Sequence, residues 1–339
     1  MSLLFLPSFD LSQYNSLAVP ARAAFYVSVS SVDQLREALA FARSEGLPRL
    51  ILGGGSNLVL TGDFPGLVIH LRLQGKEQLA EDEQHVWLKV AAGESWSALV
   101  EYTLDNHCWG LENLSLIPGT VGAAPIQNIG AYGVELCDLF EELEALEIAS
   151  GVQVIFDRDA CAFGYRESIF KGPYLDKYVI TSVTFKLRKE PRLVLDYPAL
   201  AEALTEVPAD ALTPRRVADT VIALRRSKLP DPAQIPNVGS FFKNPYISIA
   251  DYTHLQSRWP DIPGYPEADR VKLPAAWLID KAGWRGYGEG GVGVHAQQAL
   301  VLVNPGRGPG AAVMALASRI QASVLERFGI KLELEPRTY

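Results

Sequence analysis

Two glycine-rich runs are the places where this chain's backbone could grip a phosphate. In Leu52-Gly-Gly-Gly-Ser-Asn57, consecutive glycines after an apolar stretch let main-chain N–H groups approach an anion with no Cβ in the way. Ser56 and Asn57 could add side-chain donors there, although such a run on its own is as often a tight turn. The second, Ile117-Pro-Gly-Thr-Val-Gly-Ala-Ala-Pro-Ile-Gln-Asn-Ile-Gly-Ala-Tyr-Gly133, is long, and two separated loops of this kind could clamp the two ends of one dinucleotide. Arg225, Arg226 and Lys228 supply local positive charge, either to complement a helix C-terminus or to meet a diphosphate. Gly286-Tyr-Gly-Glu-Gly-Gly-Val-Gly293 contains G-x-G-x-x-G, but that fingerprint needs a strand before it and a helix after it. Here a helical stretch, Leu273 to Gly283, precedes and an apolar strand, Ala299 to Val303, follows, so the run reads as a loop. There is neither a P-loop nor an H-E-x-x-H string, and His295 reads as a structural hydrogen-bond partner.

The elements that must position these loops are legible in outline. Ser31 and Gln34 form a capping-box pattern ahead of Leu35, Leu39 and Ala42, and Gly46 ends that helix. A strand Arg49–Leu52, the first glycine run and a strand Gly66–Leu71 follow. A second helix is expected from Ser95 to about His107. From Leu111 to Gly133, Gly119, Gly122, Gly130 and Gly133 with Pro118 and Pro125 forbid a long regular element. Leu143–Ile155 and Lys177–Leu187 alternate as antiparallel strands around Ser150-Gly151. Thr213-Pro214 opens a helix that stops before Pro230, and a domain junction is expected near 214. A last helix, about Ala311–Phe328, is capped by Gly329 and followed by a strand Ile330–Glu335.

At 339 residues a chain can bury a sizeable core in about two domains. Lys and Arg total 31 against 39 Asp and Glu, a formal charge of −8, which argues against general nucleic-acid binding. Cys108, Cys137 and Cys161 lie far apart without a C-x-x-C pair, so neither a disulfide framework nor a metal site is expected. The N-terminal run reads as no secretory signal and no stretch reaches membrane-spanning length; a cytoplasmic setting is the expectation. Residues alone reach an α+β protein with a nucleotide cleft.

Five strings together carry a resemblance that runs in order along almost the whole chain. Gly53-Gly-Gly-Ser-Asn57, the Ile117–Gly133 loop, Tyr165-Arg-Glu-Ser-Ile-Phe-Lys171, Gly239-Ser-Phe-Phe-Lys-Asn-Pro245 and Leu332-Glu-Leu-Glu-Pro-Arg337 resemble the UDP-N-acetylenolpyruvoylglucosamine reductase family. The resemblance implies an α+β chain with an FAD-binding fold of the vanillyl-alcohol-oxidase type. Its subdomains would span 1–74 and 75–213, with a substrate-binding domain over 214–328 and residues 329–339 returning to the site. It implies NADPH as co-substrate, non-covalent FAD, reduction of a UDP-sugar enolpyruvyl ether in peptidoglycan precursor synthesis, and a monomer.

The residues follow from the same resemblance. FAD contacts fall on Gly53, Gly54, Gly55, Ser56 and Asn57 and, in the second loop, on Pro118, Gly119, Gly122, Ala123, Gln127, Asn128, Gly130, Ala131, Tyr132 and Gly133. Substrate contacts fall on Tyr165, Tyr197, Lys228, Asn244, Lys272 and Gln298, with Tyr265 in Pro263-Gly-Tyr-Pro266 matching a loop that closes over UDP. The catalytic set is Arg166, Ser240 and Glu335, with Leu334 and Pro336 departing from the family pattern. Hydride at the terminal CH₂ leaves an enediolate dianion, which asks for a fixed cation, donors at the carboxyl end and a proton for the adjacent carbon. Arg166 offers the fork for the carboxylate, Ser240 the proton, and Glu335 helps only if it shares a proton. The rivals are a flavin oxidase of the same fold, which would tether FAD through His or Cys such as His107 or Cys108, and a nucleotide-sugar binding protein without catalysis.

Overall fold

The computed structural model describes residues 3–339; residues 1 and 2, where the first expected subdomain begins, lie outside them. The chain divides into two compact units. Unit 1 holds the N-terminal stretch to Phe9, Ala23–Gly54 and Pro65–Ser227; unit 2 holds Asp10–Arg22, Gly55–Phe64 and Lys228–Tyr339.

In unit 1 the helix Val32–Ser44 starts where its cap predicts: the Ser31 hydroxyl accepts from the Gln34 N–H. The reciprocal arm goes one residue further back, since Gln34 Oε1 takes the Ser30 N–H at 2.7 Å. Leu35, Ala38, Leu39 and Ala42 bury one helix face against Val27, Val29, Leu67, Ile69 and Leu71. These belong to a four-stranded sheet ordered Leu6–Asp10, Arg22–Val29, Phe64–Leu71, Arg49–Leu52, in which Arg49–Leu52 runs parallel to Leu67–His70. A five-stranded antiparallel sheet follows, ordered Gln153–Asp157, Phe140–Glu147, Tyr178–Arg188, His85–Ala91, Lys76–Glu81. One face of it meets Trp96, Leu99, Val100 and Leu104 of the helix Trp96–Asp105 in one apolar cluster. The Ser150-Gly151 turn joins the first two of these strands in the hairpin the alternation implies, with Gly151 at φ 72°.

The helix Pro214–Lys228 begins as the Thr213-Pro214 pair predicts, but its buried face, Val217 and Val221, packs with Leu200 and Leu204. Unit 1 runs on to Ser227, near this helix's C-terminal end.

Unit 2 contains a four-stranded sheet ordered Asn237–Ser240, Val301–Val303, Val292–Val294, Gly288–Glu289. The Gly286–Gly293 run is thus a hairpin and no nucleotide-binding βα turn, as its flanks predict. A three-stranded sheet Tyr246–Ser248, Arg270–Lys272, Tyr265–Glu267 and the helices Ile249–Arg258, Ala275–Lys281 and Gly310–Phe328 complete the unit. Gly329 ends the last helix at φ 71°, but the strand expected at Ile330–Glu335 does not form. That segment is extended, makes one isolated bridge between Leu334 and Phe242, and only after Pro336 does Arg337–Thr338 pair, parallel to Leu58–Val59. Pro336 lacks the N–H a continuous ladder needs. No described helix is long and apolar enough to cross a membrane, and no group of His, Cys, Asp or Glu among the described residues could hold a metal ion.

Candidate active site

In unit 1 the two glycine loops meet. A methyl group built on Gly54 would stand 2.9 Å from the Gly119 Cα, and one on Gly53 would stand 2.5 Å from the Thr120 hydroxyl oxygen. Glycine is required at Gly54 because the approach is backbone to backbone. The second loop is held by the turn that precedes the helix Trp96–Asp105. Gly122 N–H donates to Ala92 O at 2.9 Å, Val121 N–H to Glu94 O at 2.9 Å, and Trp96 N–H to Gly119 O at 3.1 Å. The Trp96 indole N–H reaches Leu114 O at 3.0 Å and the Ser97 hydroxyl reaches Ile117 O at 3.1 Å. Sequence reading missed this 92–97 buttress; the capping serine Ser95 was its visible trace.

Further along the loop, Asn128 is fully buried at φ 43°. Its amide N–H₂ donates to Glu135 at 2.8 Å and to Gly164 O at 3.1 Å, and its carbonyl oxygen accepts from Cys137 N–H at 3.0 Å. Asn128 shapes the loop with its side chain and leaves only backbone for a ligand. Tyr132, at φ 49°, meets the exposed Tyr197 edge to face at 5.0 Å. Asn113 ties the Tyr132 and Val194 carbonyls together at 2.8 Å each.

The Tyr165–Lys171 string wraps this loop. The Ser168 hydroxyl donates to Ile126 O at 2.6 Å, and Lys171 Nζ donates to the Arg166 carbonyl at 3.2 Å. Arg166, at φ 55°, lays its guanidinium 5.1 Å from the Tyr165 ring centre and donates from Nη2 to Gly130 O at 2.6 Å. Left-handed backbone at three non-glycine positions, Asn128, Tyr132 and Arg166, is the kind of stored strain that collects where side chains are aimed. Arg225 brings a second cation. Its Nε is enclosed with no hydrogen-bond partner among the described residues, and burial, together with the like charge of Arg166 and against the pull of Tyr132, lowers its pKa. An enclosed donor with nothing to give its proton to, beside a second guanidinium, suits the anionic or carbonyl groups of a bound ligand. The residues present therefore fit FAD: backbone brought close enough to exclude any Cβ, and an orphaned cationic donor.

In unit 2, Ser240 and Glu335 come from segments that lie side by side. Glu335 N–H donates to Phe241 O at 3.0 Å, and Lys243 N–H donates to Glu333 O at 2.9 Å. Glu333 is exposed and sits 3.5 Å from Lys243 Nζ, whereas Glu335 is half-buried. The register against Val301–Val303 shifts between Asn237 and Ser240, and Gly239, at φ 73°, makes that bulge possible. Asn237, buried and overlooked in the sequence, fixes it. Its N–H₂ donates to Pro230 O at 3.1 Å and Ile235 O at 2.8 Å, and its oxygen accepts from Gly239 N–H at 2.8 Å.

Of the expected first-loop contacts in this unit, Gly55 backs directly onto the Tyr14 carbonyl, where a methyl group would stand 2.1 Å away, and the Asn57 carbonyl accepts from Arg337 N–H at 3.1 Å. Among the expected substrate residues, Asn244 Oδ1 caps the helix Ala275–Lys281 by accepting from Ala275 N–H at 2.9 Å, so its N–H₂ is the end left for a ligand. Tyr265 and Lys272 face each other across one strand pair, and Tyr265 is exposed. Gln298 accepts weakly from Leu300 N–H, and Lys228 is exposed at the end of its helix. His295 keeps an enclosed Nδ1 with no hydrogen-bond partner among the described residues. Cys108 and Cys161 are buried, and burial lifts both thiols, Cys161 to about 12, so neither is a ready flavin tether.

Comparison with known proteins agrees with the loops. The model of the UDP-N-acetylenolpyruvoylglucosamine reductase C-terminal domain matches residues 231–339, and an FAD binding domain matches residues 23–157. The chain is 49% identical over its whole length to all of a UDP-N-acetylenolpyruvoylglucosamine reductase from Pseudomonas aeruginosa. It is 50% identical over 99% of its length to 98% of one from Paraburkholderia xenovorans. A crystal structure of the reductase from Thermus caldophilus superposes over 100% of this chain and 99% of that one, with a TM-score of 0.69 and 25% identity. With full-length relatives at this identity and two family models in the expected order, the chain belongs to the UDP-N-acetylenolpyruvoylglucosamine reductase family.

Proposed function

We propose that this chain reduces the enolpyruvyl ether of UDP-N-acetylglucosamine to UDP-N-acetylmuramate with NADPH, using Arg166, Ser240 and Glu335 as its catalytic residues. FAD, when bound, supplies the two-electron chemistry that separates NADPH oxidation from substrate reduction. Gly53–Asn57 and the Pro118–Gly133 loop hold it without a covalent bond. The observation that carries the reading is the Arg166 guanidinium fixed on the Gly130 carbonyl of that loop, with the enclosed Arg225 donor beside it.

A hydride equivalent arrives at C3 of the enolpyruvyl group and leaves an electron pair at C2, spread into the carboxylate. Arg166, already pinned at one nitrogen, meets that carboxylate without reorganising as charge develops, and this is where preorganised cations lower a barrier. Ser240, aimed by the Gly239 bulge, gives its proton to C2, and Lys243 steadies the alkoxide that remains. Glu335 completes the carboxyl end by sharing a proton. Tyr165, Tyr197, Lys228, Asn244, Tyr265, Lys272 and Gln298 hold the UDP-sugar. The division into 1–74, 75–213 and 214–328 stays part of this proposal, as do the absence of nucleic-acid partners, which rests on charge, a cytoplasmic setting, which rests on cysteine content, and a monomer, which rests on the resemblance.

Ser240→Ala tests the assignment. Flavin reduction by NADPH keeps its parental rate, while reoxidation by the UDP-sugar slows about 10²-fold, the scale of lost general-acid catalysis. Equal reoxidation rates in stopped flow would remove Ser240 from the role.

A further inference from the structure

The three-stranded sheet of unit 2 presents one unusual face. Pairing sets Tyr246, Lys272 and Tyr265 in one row and Ser248, Arg270 and Glu267 in the next. With a period of two, all six lie on the same side, and Ile247, Val271 and Pro266 lie on the other, where Val271 is buried. The face therefore carries two cations, two phenols and a single carboxylate. Each oxygen of that carboxylate has a partner: Glu267 Oε1 accepts from Lys272 Nζ at 2.9 Å, and Oε2 accepts from the Tyr246 hydroxyl at 2.7 Å. Arg270 lies 4.4 Å and Lys272 5.1 Å from the Tyr246 ring centre, so both cations gather around one ring.

We propose that Glu267 is a built-in counter-anion of the nucleotide diphosphate site, holding Lys272 and Tyr246 ready until the substrate's diphosphate displaces it. This deepens the functional reading, because it rests on Lys272 and Tyr265 as UDP contacts. The chemistry is that of exchange. Two carboxylate oxygens spanning an ammonium and a phenol present the same two acceptors as one phosphate. A diphosphate brings more charge and more oxygens, so it wins the exchange, whereas a weak monoanion does not. Glu267 is thus a specificity-determining residue: it keeps the cations ordered and sets a threshold that only a polyanion clears. The pKa of Glu267 is lowered, chiefly by the Tyr246 hydrogen bond and with help from Lys272 and Arg270, which keeps it ionised while it does so.

Glu267→Gln separates the two effects. The amide oxygen still accepts from Tyr246 or Lys272, so order is largely kept, but the competing charge is gone. In FAD-loaded protein without NADPH, calorimetric titration with UDP-N-acetylglucosamine enolpyruvate is expected to show a dissociation constant about two- to fivefold lower, the upper part of the range for one partly exposed charge contact. Lys272→Met weakens binding, and in that background Glu267→Gln brings a smaller gain, since only the Tyr246 contact is left to relieve. A structural role for Glu267 would give a loss, never a gain. If Glu267→Gln binds no tighter while Lys272→Met weakens, the counter-anion proposal falls and the UDP assignment stands. If Lys272→Met leaves binding unchanged, the assignment of this face to UDP falls, and the proposal with it.

Discussion

Replacing Gly54 by alanine probes the contact between the two glycine loops. The added methyl would stand 2.9 Å from the Gly119 Cα, where carbon atoms prefer about 3.5–4.0 Å, an overlap of roughly 0.6–1 Å. No rotamer relieves it. Gly119 must move, and its carbonyl is the acceptor for Trp96 N–H, so the shift strains the buttress as well. Overpacking of this size costs about 1–3 kcal/mol. Falling on the loops that receive the cofactor, it raises the FAD dissociation constant by about 5- to 150-fold. Gly53→Ala is milder, because its nearest neighbour is the Thr120 hydroxyl, and Thr120→Ala should relieve it. Gly62→Ala is the control: no atom lies within 4 Å of the added methyl. Deflavinated protein titrated with FAD by fluorescence quenching reads all four. A Gly54→Ala protein that binds FAD within twofold of Gly62→Ala would refute the reasoning.

Asn237→Ala removes three hydrogen bonds around a buried bulge and leaves two carbonyls and an N–H unpaired; about 2–4 kcal/mol is lost, and the melting temperature falls by roughly 3–6 °C, with a fall under 1 °C contradicting the clamp. Glu112 is buried with its carboxylate on Gly110 N–H, and burial raises its pKa above the ordinary 4.5. The folded state then holds a proton that the unfolded state has released, so stability falls as pH rises from about 4.5 through the raised value. Glu112→Gln should flatten that fall in denaturant melts taken across the window, and an unchanged slope would exclude Glu112 as its source. Cys161, with its thiol near 12 and fully buried, should resist iodoacetamide at pH 8 in the folded protein and react on unfolding; rapid native labelling would contradict its burial.

What the sequence made legible was local. Ser31, Thr213-Pro214 and Gly329 mark helix ends because caps act within one turn, and those ends fall where the caps put them. The glycine loops were visible as composition, but their meeting at Gly54 and Gly119 depends on pairing between residues 65 positions apart, which no local pattern encodes. Asn128 was expected only as an FAD contact and Asn237 carried no motif; burial is what turns both side chains into clamps. Ile330–Glu335 alternates like a strand, yet its neighbour Phe241–Lys243 offers just one bridge and Pro336 cuts the ladder. The Glu267 face was hidden because Tyr246 and the Tyr265–Lys272 hairpin approach each other only through sheet pairing.

The account stands or falls on whether electrons entering from NADPH leave through the enolpyruvyl group. Under strict exclusion of oxygen, the yellow holoprotein is bleached with one equivalent of NADPH and then mixed with UDP-N-acetylglucosamine enolpyruvate. Full return of the flavin absorbance, with one equivalent of UDP-N-acetylmuramate formed, is the predicted result. A flavin that stays bleached until air is admitted would contradict it.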